Sequence, residues 1–210
     1  MKVIGLTGGI AMGKTTAARA FRRSHLPVFD ADATVRALQA PGGAALPALA
    51  QAFPGVVETD AAGALRLDRA ALRRAVLSDP AALRRVEAIM HPLVRRQERA
   101  FLAAAHRRGA RAAVLDIPLL LEVGRLDRSH RRAFDAAIVM SAPSDVQRSR
   151  VLRRGTLSEA QLTAILARQL PDGERQRQAR RAVPTHVIRT GLSRRHSHMR
   201  LLRAIRELLR

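Results

Sequence analysis

The residues best equipped to do chemistry lie near the start of the chain. Gly8-Gly9-Ile10-Ala11-Met12-Gly13-Lys14-Thr15 fits the spacing G-x-x-x-x-G-K-S/T. Glycines at Gly8 and Gly13 permit a tight loop whose backbone N–H groups turn inward around phosphate oxygens. The run from Lys14 to Arg23 reads as a helix, and its positive N-terminal end points at the same anions. Lys14 supplies a full charge for β- and γ-phosphates, and the Thr15 hydroxyl is a ligand for Mg²⁺. The candidate nucleotide-binding residues are therefore Gly8, Ala11, Met12, Gly13, Lys14, Thr15 and Thr16, with ATP and Mg²⁺ as the expected cofactors.

A second group of candidates is acidic. Transfer of a phosphoryl group to a hydroxyl is helped by a carboxylate that takes or orients the hydroxyl proton. In an open parallel sheet such groups sit at the carboxyl ends of strands. Asp30 and Asp32 follow the apolar run Pro27-Val28-Phe29, and their i, i+2 spacing shares one face if the chain stays extended. One of them serves the phosphate, and the other is open to a role as cap of the next helix. Asp116 ends the run 111–116 and is a candidate for holding Mg²⁺ through water, or a strand-end acid bonded to a neighbouring loop.

These residues need a scaffold. Strands are predicted over 3–6, 27–29, 111–116, 136–140 and 186–188. Helices are predicted over 14–23, after Asp32 until Pro41, and near 144–154, 158–169 and 194–209. Residues 44–110 read as helix-rich, with Leu72, Val76, Leu83, Val86, Ile89 and Leu93 forming an apolar stripe broken near Pro80 and Pro92. Strands alternating with helices predict an α/β fold of P-loop NTPase type: a parallel sheet flanked by helices. The whole of 1–210 reads as a single domain with a helical insertion at about 44–110, too long for a simple crossover and placed to shape the acceptor site.

Composition narrows the function. The 210-residue chain has no cysteine, which excludes disulfides and thiolate metal sites. The apolar run at its start is too short for a signal-peptide core, and no later one is long enough to span a bilayer; a cytoplasmic protein without a membrane partner is expected. A net charge of +21 fits nucleic acid, polyanionic small molecules or merely solvated basic faces. Aromatic content of 2% with no Trp or Tyr argues against a base-stacking surface, so no nucleic-acid partner is expected. Among phosphate-loop proteins, a GTPase needs N-K-x-D, yet the chain has no Asn and its only lysines are Lys2 and Lys14. Asp60-Ala61-Ala62-Gly63 matches D-x-x-G but reads as a turn. The chain is short for a motor. A small-molecule kinase remains; another metabolite kinase, for a nucleoside, nucleotide or shikimate-like acceptor, is the alternative within the class, and a basic nucleic-acid-binding protein the alternative outside it.

Several blocks in order resemble the dephospho-CoA kinase family. Val3 to Ile10 with Gly13-Lys14-Thr15-Thr16 is similar to its opening, and Asp30-Ala31-Asp32 to its D-A-D motif. Leu67-Asp68-Arg69 with Leu72-Arg73, Glu87-Ala88-Ile89-Met90-His91-Pro92, and Asp116-Ile117-Pro118-Leu119-Leu120-Leu121-Glu122 resemble three further family segments. Ala142-Pro143, Gln147, Arg150, Arg154-Gly155 and Gln169 are similar to its lid region. The resemblance implies transfer of the ATP γ-phosphoryl group to the ribose 3′-hydroxyl of dephospho-CoA. It implies Asp32 as base, residues 60–100 as holding the substrate, and a helical lid at about 145–175 in which Arg150 and Arg154 neutralise charge on the transferred group. His91 either lines the substrate site or is a helix-end histidine before Pro92. Two departures stand out. Ala11-Met12 replaces the family's Gly-Ser, a change that negative φ angles would tolerate, and Pro184 to Gly191 lacks the Asp and Asn of A-D-x-V-I-x-N-x-G.

Overall fold

The computed structural model describes residues 1–77, 79–118, 120–121, 133–155, 157–167 and 169–210. The chain forms two compact units, one of residues Met1–Asp30 with Ala105–Arg210 and one of Ala31–Ala104.

The first unit is built on five parallel strands: β1 (Lys2–Gly8), β2 (Val28–Asp30), β5 (Ala112–Asp116), β6 (Ala136–Ser141) and β7 (Thr185–Arg189). Their order is β2-β5-β1-β6-β7. Every residue of β5 and β6 is buried, as expected of parallel strands covered on both faces. Ile4 and Leu6 of β1, Val114 of β5 and Ile138 of β6 pack in one core with Ala17 and Phe21 of α1 (Lys14–Arg23) and with Leu201 and Ile205 of α9 (Arg194–Leu208). The winding of the sheet reverses beside β1, so the loop leaving β1 sits at the switch point where ligands bind in such sheets.

Three further helices belong to this unit: α6 (Ser144–Arg153), α7 (Glu159–Ala167) and α8 (Asp172–Ala182). Ser158 and Gln161 close a capping box at the start of α7: Ser158 N donates to Gln161 Oε1 at 2.9 Å and Gln161 N to Ser158 Oγ at 3.2 Å. The sequence pattern gave no sign of α8 as a separate helix. Six of its eleven residues are charged, and its place is fixed by tertiary bonds instead. Ser141 Oγ at the end of β6 donates to Asp172 Oδ2 at 2.6 Å, and Arg175 is buried.

The second unit contains α2 (Ala31–Leu38), α3 (Leu46–Ala52), a hairpin of β3 (Val57–Thr59) and β4 (Leu65–Leu67), α4 (Arg69–Leu77) and most of α5 (Pro80–Arg107). Leu38, Leu46, Leu49, Phe53, Leu72, Ala82 and Met90 make its core. Asp60-Ala61-Ala62-Gly63 is the turn of the hairpin: Asp60 Oδ1 accepts from Ala62 N and Ala64 N at 3.0 and 2.9 Å. Asp68 performs the analogous task for α4, accepting from Ala70 N and Ala71 N. The Ala71 bond is the main reason its carboxyl is held below the usual carboxylate range.

The break expected near Pro80 is present: α4 ends at Leu77 and Pro80 starts α5, which suits a residue with no N–H to offer. The break expected near Pro92 is corrected. Pro92 does not end α5, which continues to Arg107. Twenty-eight residues of helix retain enough bonds and packing on either side to carry one missing N–H.

Candidate active site

The loop after β1 is shaped by its backbone and gripped from behind. Gly13 has φ 94°, a left-handed conformation that carries the chain into α1. No side chain caps the first turn of α1 among the described residues, and that turn carries no acid. Its N–H groups and positive end are thus left for an anion. Thr15 and Thr16 are exposed at that end, while Met12 is buried.

Lys14 reaches across the sheet end. Its Nζ donates to Asp116 Oδ1 at 2.6 Å, with only 19% and 7% of the two side chains exposed. The loop's lysine and the strand-end acid therefore meet, and of the two readings of Asp116 the bond to a neighbouring loop is the one visible in this structure. Asp30 ends β2 in register with Asp116 on β5. The i, i+2 argument for Asp30 and Asp32 does not hold: the chain leaves the extended form at Ala31, and Asp32 is an exposed residue in the first turn of α2. The two acids are set apart by a strand-to-helix transition, not aligned by a strand.

Ala11 also departs from expectation. Its φ is 56°, the left-handed region, where a Cβ costs about 1–2 kcal/mol. The condition under which Ala in place of Gly would be tolerated without strain is not met. The loop is held in this form by its neighbours. Arg150 Nη1 donates to Thr190 Oγ1 at 3.0 Å and to the Ala11 carbonyl at 3.4 Å, and its Nη2 donates to the Thr190 carbonyl. The Thr190 hydroxyl shares its proton between the carbonyls of Met12, at 3.1 Å, and Ser141, at 3.2 Å. Thr190 stands where the family motif has Asn. It ties the end of β7 to the loop by its hydroxyl, and β7 keeps its parallel pairing with β6.

A cavity of about 1000 Å³ opens beside the loop, lined by Ala11, Gly13 and Thr16, by the apolar side chains of Met140, Val146 and Leu201, and by Arg150, Arg153 and Arg154. Asp145 is the acid lining it among the described residues. Arg154 caps the C-terminal end of α6 and is exposed. Arg148, by contrast, is bonded to Glu159 of α7 at 2.6 Å on the surface.

His91 is an exposed residue in the middle of α5, so the helix-end alternative is excluded. Glu122 and Leu119 lie outside the described residues. Sequence reasoning missed Thr7, whose buried Oγ1 has no hydrogen-bond partner among the described residues, one step before the loop. It met Thr190 only as a departure from the family motif and missed its bonds to the loop.

The parallel sheet with a G-x-x-x-x-G-K-T loop leaving its central strand defines a P-loop protein. A family model of dephospho-CoA kinase matches residues 2–186. The dephospho-CoA kinase of Gluconobacter oxydans is 51% identical over 92% of this chain and 91% of its own length. A Thermus thermophilus protein of known structure superposes with a TM-score of 0.80 at 31% identity, over 100% of this chain and 98% of that one. The dephospho-CoA kinase of Campylobacter jejuni, at 19% identity and a TM-score of 0.65, shares the fold over 99% of this chain and 97% of its own. The chain belongs to the dephospho-CoA kinase family. No described helix is long and apolar enough to cross a membrane.

Proposed function

We propose that the chain transfers the γ-phosphoryl group of ATP to the ribose 3′-hydroxyl of dephospho-CoA, giving CoA and ADP in the last step of coenzyme A synthesis. The observation that carries this reading is the Lys14–Asp116 pair at the mouth of an uncapped helix, in a chain of this family. The loop N–H groups and the end of α1 take the β- and γ-phosphates, Lys14 turns from Asp116 to the same oxygens, and the Arg-lined cavity takes the base and ribose. Asp32 accepts the proton of the acceptor hydroxyl, and His91 contacts the acceptor. Arg150 and Arg154, in a lid over about 145–175, neutralise charge on the group in transfer.

The donor set suits Mg²⁺. Among the described residues no three His, Cys, Asp or Glu side chains cluster to cage a metal. Mg²⁺ needs no such cage: it takes one or two protein oxygens and fills its shell with phosphates and water. Thr15 would hold it directly and Asp116 through water. When bound, it neutralises charge on the β- and γ-oxygens.

The test is direct. Purified protein with ATP and Mg²⁺ should convert dephospho-CoA to CoA, with phosphorus NMR placing the new phosphate on the 3′-oxygen. Adenosine should be a poorer acceptor, because it lacks the pyrophosphate and pantetheine arms whose binding positions the hydroxyl. Faster turnover of a nucleoside or shikimate would sink the assignment of the acceptor.

A further inference from the structure

The peptide groups of Ile10 are closed by two glutamines from opposite ends of the lid segment. Gln147 lies on α6, and its Nε2 donates to the Ile10 carbonyl at 2.9 Å. Gln169 precedes α8, and its Oε1 accepts from the Ile10 N–H at 3.2 Å. Ile10 directly precedes Ala11, where the loop enters its left-handed turn. Gln147 is 5% exposed, so its amide is removed from water and depends on this bond.

Gly9 makes the arrangement possible. A Cβ at Gly9 would lie 2.8 Å from Gln169 Oε1, closer than that amide can stay, and 3.1 Å from Gln147 Nε2, which would have to give by a few tenths of an ångström. A side chain there would push Gln169 off Ile10 and crowd Gln147. The small residue, the donor and the acceptor thus form one device. Its effect is on the loop's shape: an irregular loop samples many conformers unless its peptide groups are fixed, and preorganised donors bind anions better than donors that must first be ordered.

We propose that Gln147 and Gln169 are positioning residues that clamp Ile10 and so preset the Ala11–Thr16 turn for the triphosphate. The proposal rests on reading the loop as the ATP site. Because the two glutamines stand at either end of the segment bearing Arg154, the clamp also makes the loop's shape depend on where that segment's ends sit.

The test uses the full chain with Mg·ATP, binding followed by calorimetry and turnover by CoA formation. Gln147→Leu and Gln169→Leu should each weaken ATP binding and kcat/KM for ATP roughly tenfold, the loss expected for one such bond. KM for the acceptor should stay at the parent value. Gly9→Ala should give a similar loss alone, and no further loss when added to Gln147→Ala/Gln169→Ala, because the side chains it displaces are then absent. A merely structural role would lower the melting temperature without this coupling or this split between substrates. If Gln147→Leu does not fold, Gln169→Leu, at the less buried position, carries the same test. Parental ATP affinity in folded Gln169→Leu, or full additivity of Gly9→Ala with the double variant, overturns the clamp while leaving ATP binding intact. Absence of ATP binding by the parent overturns the nucleotide reading, and the clamp with it.

Discussion

The phosphate loop has chiefly backbone to offer a ligand, and the Ala31–Ala104 unit chiefly side chains. Around the loop the groups offered to an anion are main-chain N–H groups and one lysine. Side chains such as Arg150 and Thr190 grip the loop from behind. In the second unit the backbone is spent on regular helix and hairpin, and Leu38, Leu49, Phe53 and Met90 fill an ordinary core. Anything that unit does to a substrate must come from exposed positions such as Asp32 and His91. The contrast teaches where a motif can be trusted. A site made of backbone needs particular spacings and glycines. A site made of surface side chains leaves only scattered single residues.

Lys14→Ala breaks the contrast most sharply, because it removes the one side chain on which the backbone site depends. Turnover should fall by roughly a hundredfold or more in a protein that still folds, although loss of the charge beside buried Asp116 lowers its melting temperature. Near-normal turnover in the folded variant would show that the backbone suffices. Asp32→Asn probes the other side. It should lower kcat severely and leave ATP affinity unchanged, since a base acts on the acceptor. Asp30→Asn, at a strand end, should be milder and act through stability. Reversed effects would mean that Asp30 is the base.

Arg150 and Arg154 are alike in sequence but unlike in place. Arg150→Ala also removes three bonds to Ala11 and Thr190, so besides kcat it should lower the melting temperature and ATP affinity. Arg154→Ala, at an exposed position, should reduce kcat alone. Equal effects in both assays would return the two to one role. The smallest expected effect is that of Ala11→Gly, which relieves left-handed strain and should stabilise the fold by about 1 kcal/mol in a denaturant titration. His25→Gly is its control. With φ 57° at the end of α1, where Leu26 N bonds back to the Phe21 carbonyl, it should give a similar gain with no change in ATP affinity. A change in ATP affinity confined to Ala11→Gly would tie loop strain to binding.

All five parallel strands were legible in the sequence: β5 and β6 are buried on both faces and so read as continuous apolar segments, whereas β2 and β7 are only partly buried and show shorter apolar runs. The hairpin of β3 and β4 was not. Its strands are three residues long and half-exposed, so neither periodicity nor burial marks them. α8 was hidden for the opposite reason: a highly charged helix shows no apolar stripe, and the bonds from Ser141 to Asp172 and the burial of Arg175 are visible only in three dimensions. The sequence by itself determined the loop and its lysine, because cradling phosphates demands those types at that spacing, and it marked Asp116 as the acid ending an apolar strand run. Tertiary structure alone decided that Ala11 is left-handed, that Asp30 and Asp32 fall on either side of a strand-to-helix turn, and that Thr190 does the tying. Each of these depends on which residues distant in the chain arrive against the loop, and such contacts leave no local signature in a single sequence.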